Sequence, residues 1–285
     1  NCIDSNGGIA FAVPPKQGVG LLDSKIAYCA NFLSFGMTNL KKRDGEPSMS
    51  TQVVKWGILG AARVNERLLP AIIAAQNAQL VAIASRRPGA AKATLDKYAP
   101  DAAGVTCYDD MDSLITDGNV EAVYCPMANE EHAEWALKAI AAGKHVLIEK
   151  PMTTKLADID AIEAAAKAKG VTVMEGFMYR FHPQHAKVKA LIDSGLIGDV
   201  LSCRASFSFL MAPARMYRIT RDMANGGGAM WDIGPYAIHA LRWCFGGGDA
   251  PAEPKNVLAY GKLNAHGADV VASGILDFGP DAQGR

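Results

Sequence analysis

Residues 53–174 predict a doubly wound α/β fold, a parallel sheet covered by helices on both faces. Three observations carry this. Short apolar runs recur at 53–59, 80–84, 121–125, 145–148 and 171–174. Helical stretches alternate with them at 64–76, 89–98, 109–116, 130–142 and 155–169. A glycine-bearing turn, Gly60-Ala61-Ala62-Arg63-Val64-Asn65, follows the first run directly. Strands buried on both faces read as near-continuous apolar runs, and parallel neighbours need a long crossover between them, usually a helix.

In such a sheet the ligand lies beyond the carboxyl ends of the strands, and the first strand-to-helix turn receives a pyrophosphate. Here that turn keeps one glycine. Gly60 allows the tight bend, while Ala61 and Ala62 are small enough for the backbone of residues 60–64 to approach a phosphate at the helix N-terminus. It is a weakened GxGxxG, with Ala62 and Asn65 in place of the later glycines. A ribose 2'-hydroxyl reader would be an acidic residue at the end of the second strand. The chain has Ser85-Arg86-Arg87 instead. An arginine fork suits a 2'-phosphate, so NADP is expected over NAD.

The run at 121–125 counts as the fourth strand and leads into Pro126-Met127-Ala128-Asn129-Glu130-Glu131-His132; the run at 145–148 counts as the fifth and leads into Glu149-Lys150-Pro151. Both loops fall on the ligand side. A lysine there can orient a substrate oxygen and depress a neighbouring acid's pKa. By their strand-end positions Pro126, Asn129, His132, Glu149, Lys150 and, after the sixth strand, Arg180 join Gly60 to Val64 and Ser85 to Arg87 as expected cofactor contacts.

Composition narrows the function classes. Lys+Arg and Asp+Glu both number 29, so no net basic field favours nucleic acid or an anionic membrane. No apolar run approaches the roughly 20 residues of a membrane span. Six cysteines at 2, 29, 107, 125, 203 and 244 form no CxxC pair, which fits reduced, buried thiols of a cytoplasmic protein and no metal site. Residues 1–50 show neither helical period nor strand alternation, and Met37 or Met49 is the expected natural start, with a disordered or non-native extension before it.

The chain resembles the glucose-fructose oxidoreductase, inositol dehydrogenase and MocA-like family. The resemblance rests on Gly57-Ile58-Leu59-Gly60-Ala61-Ala62-Arg63, on Asn129 to His132, and on Ala142-Gly143-Lys144-His145-Val146-Leu147-Ile148-Glu149-Lys150-Pro151. It extends through Met174-Glu175-Gly176-Phe177-Met178-Tyr179-Arg180-Phe181-His182-Pro183 and Gly226-Gly227-Gly228-Ala229-Met230-Trp231-Asp232-Ile233-Gly234-Pro235-Tyr236. It implies a Rossmann domain at 51–174 and a substrate and dimerisation domain at 175–285, an α+β unit with an open, mainly antiparallel sheet. A helix at 184–194 and strand-like runs at 199–210, 256–263 and 269–278 agree. The second domain is expected to be incomplete at its C-terminus, and the full-length form to be a homo-oligomer.

The same resemblance implies Lys150 as catalytic lysine, completed by Asp232 and Tyr236. Residues four apart on one helix share a face, so Asp232 and Tyr236 are expected to point together. Tyr236, where inositol dehydrogenases carry histidine, is similar to the glucose-fructose oxidoreductase and dihydrodiol dehydrogenase branch, in which the phenol is the proposed acid/base. An unperturbed phenol has a pKa of about 10, so a nearby cation is needed for it to work near neutrality. The implied activity is hydride transfer between NADP and a sugar, polyol or related small molecule. Dihydrodiol oxidation and a non-catalytic NAD(P)-binding regulator are the alternatives. Arg215, Tyr217 and Arg218 are expected to face substrate.

Overall fold

The structure, a computed structural model, describes residues 53–246 and 251–279. Expectations for residues 1–50 lie outside that range. The chain divides into two compact units between His182 and Pro183.

The first unit is a six-stranded, all-parallel sheet of β1 (Val54–Leu59), β2 (Ala78–Ala84), β3 (Thr106–Tyr108), β4 (Ala122–Cys125), β5 (His145–Ile148) and β6 (Val173–Glu175), in the order β3-β2-β1-β4-β5-β6. Between the strands run α1 (Asn65–Ala74), α2 (Ala90–Tyr98), α3 (Met111–Thr116), α4 (His132–Ala141) and α5 (Leu156–Lys169). Successive strand residues point to opposite faces, and the core follows that alternation. Ile58, Ile83, Tyr124 and Leu147 pack under Leu68, Leu69 and Ile72 of α1 and Leu95 of α2. Leu59, Val123, Val146 and Ile148 face Leu114 of α3, Trp135 and Ile140 of α4, and Ile162 of α5. The doubly wound class predicted from the apolar runs is the one observed.

Local chemistry sets the helix ends. The Asp110 carboxylate accepts from the Ser113 amide at 2.7 Å, an N-cap for α3. Gly170, left-handed at φ 66°, closes α5. One strand escapes the sequence pattern: β3 is three residues long, none fully buried, so Thr106-Cys107-Tyr108 carries no apolar run to betray it.

The second unit holds α6 (Pro183–Asp193), 3-10 turns at Pro213–Arg218 and Met223–Asn225, α7 (Ala229–Asp232), α8 (Gly234–Phe245), and an antiparallel pair, β7 (Asn256–Leu263) with β8 (Asp269–Asp277). The expected strand at 199–210 does not form. Cys203 and Ala205 keep a period-two burial against exposed neighbours, but no strand pairs with this stretch among the described residues, and a strand without a ladder gains nothing for its backbone. The four described cysteines are free thiols, Cys125 buried and Cys107, Cys203 and Cys244 half-buried. Cys125 is thus the one that matches the expectation of burial; its thiol pKa is pushed up to about 12 by that burial. No helix among the described residues is long and apolar enough to cross a membrane.

Candidate active site

The strand order reverses between β1 and β4, and the loops leaving these strands carry most of the residues that the sequence singled out. After β1, Gly60 turns the chain at φ 102°, a conformation that L side chains rarely adopt. A Cβ there would also sit 3.1 Å from Met127 Sδ in the loop after β4. The backbone amides of Ala61, Ala62 and Arg63 donate to no backbone carbonyl among the described residues, leaving the start of α1 with free donors. Ala61 and Ala62 are half-buried and Arg63 exposed, while Val64 flanks the helix without a side-chain cap. That set of donors beside small side chains fits a pyrophosphate.

By its place in the glycine pattern Asn65 reads only as a lost glycine, but in the structure it holds the turn. Fully buried, it donates Nδ2 to the Gly60 carbonyl at 2.9 Å and so pins the turn to α1. An Asn five residues past the turn glycine, at the head of an apolar helix, was the available signal.

Ser85, Arg86 and Arg87 leave the end of β2. Ser85 is buried and its Oγ accepts from the Arg87 amide at 3.2 Å. Arg87 Nη2 donates to the Ala61 carbonyl at 3.2 Å, which places its guanidinium beside the phosphate turn. Arg86 pairs with Glu131 at 2.6 Å, with over half its side chain still in solvent. Arg87 beside the turn, with part-exposed Arg86 next to it in sequence, suits a 2'-phosphate, and the Glu131 pairing is a link that the sequence did not reveal.

Lys150 follows β5, half-buried, and its peptide bond to Pro151 is cis. Around it the backbone is held on every side. Glu149 receives Tyr124 Oη on Oε1 at 2.6 Å, and its Oε2 accepts from the Lys150 amide at 3.3 Å. The Met152 amide donates to Glu175 Oε1 at 2.7 Å. Gly176 packs so close to β5 that a Cβ would lie 3.1 Å from the Ile148 carbonyl oxygen. Burial, with Glu149 adding to it, pushes the Glu175 carboxyl above its ordinary pKa, against the Met152 amide and Lys150.

His132 was expected to touch the cofactor, yet it is drawn inside. Its ring is fully buried, with Nδ1 2.7 Å from the Pro151 carbonyl oxygen and Nε2 3.0 Å from that of Met127. Both ring nitrogens face backbone carbonyls, which turns the ring into the fold. Pro126 is likewise buried, Asn129 half-buried at the head of a 3-10 turn, and Arg180 exposed after β6.

Asp232 and Tyr236 belong to the second unit, and their relation differs from the expected shared helix face. Asp232 ends α7, Tyr236 lies in α8, and Ile233 between them breaks the helix at φ −128°. Pro235 is the physical reason: it stands in the first turn of α8, where it has no N–H to continue the ladder of α7 onto the Trp231 carbonyl and its ring crowds that group. Asp232 is buried and takes Arg218 Nη1 on Oδ1, with Arg215 Nη2 3.6 Å from Oδ2. The two arginines expected to face substrate are therefore engaged by an internal carboxylate. Tyr236 is half-buried, its ring 5.6 Å from that of Phe207.

Residues 54–177 match the sequence model of the GFO/IDH/MocA oxidoreductases, described as an NAD-binding Rossmann fold, and residues 185–285 match the family's C-terminal domain. The chain belongs to the GFO/IDH/MocA family. Among its relatives, a dTDP-3,4-didehydro-2,6-dideoxy-alpha-D-glucose 3-reductase of Actinomadura kijaniata is 38% identical over 66% of this chain and 54% of its own. A D-xylose 1-dehydrogenase (NADP(+)) of Haloferax volcanii is 36% identical over 81% of this chain and 67% of its own. A trans-1,2-dihydrobenzene-1,2-diol dehydrogenase of Xenopus tropicalis is 30% identical over 79% and 65%. The crystal structure of the Actinomadura 3-ketoreductase with NADP and TDP-benzene superposes with a TM-score of 0.62 at 37% identity, over 68% of this chain and 58% of that one. The chain thus spans between about half and two thirds of the length of these relatives.

Proposed function

We propose that this family member is an NADP-dependent oxidoreductase acting on a hydroxyl or carbonyl carbon of a sugar or polyol. The observation that carries the reading is the Arg86–Arg87 pair at the end of β2, with Arg87 bonded to the Ala61 carbonyl of the phosphate turn. Such a pair neutralises a 2'-phosphate that an acidic residue there would repel. Gly60, Ala61, Ala62, Arg63 and Val64 hold the pyrophosphate; Ser85, Arg86 and Arg87 hold the 2'-phosphate end; Pro126, Asn129, Glu149, Lys150 and Arg180 border the remainder. The nicotinamide supplies the hydride donor or acceptor. Lys150 supplies positive charge for the substrate oxygen, Tyr236 moves its proton, and Asp232 holds the polypeptide before Tyr236 through its pairing with Arg218. The 2-deoxysugar reductase and xylose dehydrogenase relatives support a sugar substrate; the dihydrodiol dehydrogenase relative supports a cyclic diol as the second class to try.

The test is NADPH or NADP absorbance across a panel of aldoses, keto sugars, polyols and cyclic diols, with NAD in parallel. Turnover with a lower KM for NADP than for NAD is expected. Lys150→Met and Tyr236→Phe are each expected to cut kcat at least a hundredfold while NADPH binding, followed by fluorescence, stays within a few-fold, since proton transfer by a placed group typically contributes about 10²–10⁴-fold. A clear NAD preference removes the cofactor assignment, and near-normal turnover in either variant removes that residue's role. NADPH binding with no turnover on any panel member supports a regulator instead.

A further inference from the structure

The turn that carries Lys150 is anchored residue by residue from three directions. Glu149, at the end of β5, accepts from the Lys150 amide. Glu175, at the end of β6, accepts from the Met152 amide at 2.7 Å. Between them, the carbonyl of Pro151 reaches down to His132 Nδ1 at 2.7 Å. The other ring nitrogen of His132 lies 3.0 Å from the Met127 carbonyl, in the loop leaving β4. One buried imidazole therefore spans the backbones of the two ligand-side loops, from the head of α4.

A fully buried polar ring in this place is costly unless it is bonded, and it contributes little to the apolar core around it. A leucine or methionine would fill the same space without that cost. What the imidazole adds is direction: two nitrogens held at fixed positions in one rigid plane, one an N–H donor in the neutral ring and both donors in the cation. We infer that His132 is a positioning residue, a brace between the loops after β4 and β5 that fixes where Lys150 stands. The inference rests on the reading of Lys150 as the catalytic lysine. The imidazole acts on Lys150 through the Pro151 carbonyl, one residue away.

The electrostatics around the brace are set by few groups. Burial pushes the His132 imidazolium below its ordinary pKa, while the Pro151 and Met127 carbonyls and the Glu149 and Glu130 carboxylates oppose that shift. Lys150 and Glu149 are in turn the charges that act on Glu175. A neutral ring donates to one carbonyl only, and we assign that bond to Pro151, 2.7 Å from Nδ1. The second carbonyl gains its bond when the ring is protonated.

The experiment compares the full chain with His132→Ala and His132→Gln, whose amide NH2 can donate to a carbonyl as the ring does. Expected for His132→Ala is a fall in kcat of tenfold or more with KM for NADP(H) within about twofold, a shifted pH profile, and partial recovery in His132→Gln. A kcat and pH profile equal to wild type in folded His132→Ala overturns the brace, as does a joint loss of kcat and NADPH affinity that glutamine does not rescue. Two further readouts need no turnover. In the wild type, the His132 Nδ1–H resonance in nitrogen-edited NMR is expected to exchange slowly with solvent; a rapidly exchanging or unprotonated Nδ1 overturns the geometry even if the variants fail to fold. Reductive ¹³C-methylation of lysines lets Lys150 titrate visibly, and its apparent pKa is expected to move in His132→Ala; no movement overturns the inference. Should the wild type turn over nothing, the oxidoreductase reading falls while these two measurements still decide the brace.

Discussion

Glu175 sits where a carboxylate is costly. Its pKa is raised first by burial and then by Glu149, with the Met152 amide and Lys150 pulling the other way. An acid whose folded pKa exceeds its unfolded value binds more protons when folded, so stability rises as pH falls through the folded pKa and levels off below the unfolded one. Glu175→Gln keeps an acceptor for the Met152 amide and removes the charge. The variant is expected to be more resistant to urea than wild type near pH 8, with the two converging towards pH 4; parallel curves at both pH values would show that Glu175 does not titrate in this range. The same residue shows what sequence could and could not reveal at this scale. Lys150 was legible because Glu149-Lys150-Pro151 follows a recognisable apolar run. Glu175 and His132 were not legible in the same sense, because their work is to hold backbone groups across the fold, and nothing in a one-dimensional pattern says which carbonyl a buried ring will face.

Elements were most visible where burial is two-sided and least where it is not. β1, β2, β4 and β5 announce themselves as apolar runs because both faces are covered. β3, with no fully buried residue, does not. The break at Ile233 illustrates a rule that was available but outweighed: Pro235 forbids a continuous helix, yet the four-residue spacing of Asp232 and Tyr236 read as one face. The stretch that leads into α7 is held instead by tight backbone packing. Gly228 N–H donates to the Arg218 carbonyl at 2.8 Å, and the Met230 amide donates to Asp269 Oδ2 at 2.8 Å. A Cβ on Gly227 would fall 1.9 Å from the Arg221 carbonyl oxygen, a distance that forces backbone movement. Gly227→Ala is therefore expected to cost about 1–3 kcal/mol or more, in the range of overpacked sites. Gly118, with no atom within 4 Å of a built Cβ and no positive φ, serves as control, and Gly118→Ala should shift stability by no more than about 0.5 kcal/mol. Equal urea midpoints for the two variants would show that the loop gives way at no cost.

At the scale of the whole molecule the two units are unequal in what they bury. Every residue of both core clusters lies between Val54 and Phe181, so the doubly wound sheet has its apolar faces covered from within its own segment. The second unit shows the opposite pattern: among the described residues its sheet has two strands, and Val257, Leu258, Tyr260 and Ile275 stand 63%, 73%, 73% and 67% exposed. A two-stranded hairpin with bare apolar side chains is at best marginal by itself. Expressed alone, residues 53–182 are expected to unfold as a cooperative unit and to bind NADPH, because Gly60, Ser85, Arg86, Arg87 and Lys150 all lie within that segment. Residues 183–279 alone are expected to aggregate or to melt without a sharp transition. Circular dichroism melts and NADPH fluorescence titrations of the two segments check both halves of this expectation. A 53–182 segment that melts gradually would show that its stability depends on the residues beyond His182. A cooperative segment that ignores NADPH would move the 2'-phosphate contacts away from the end of β2.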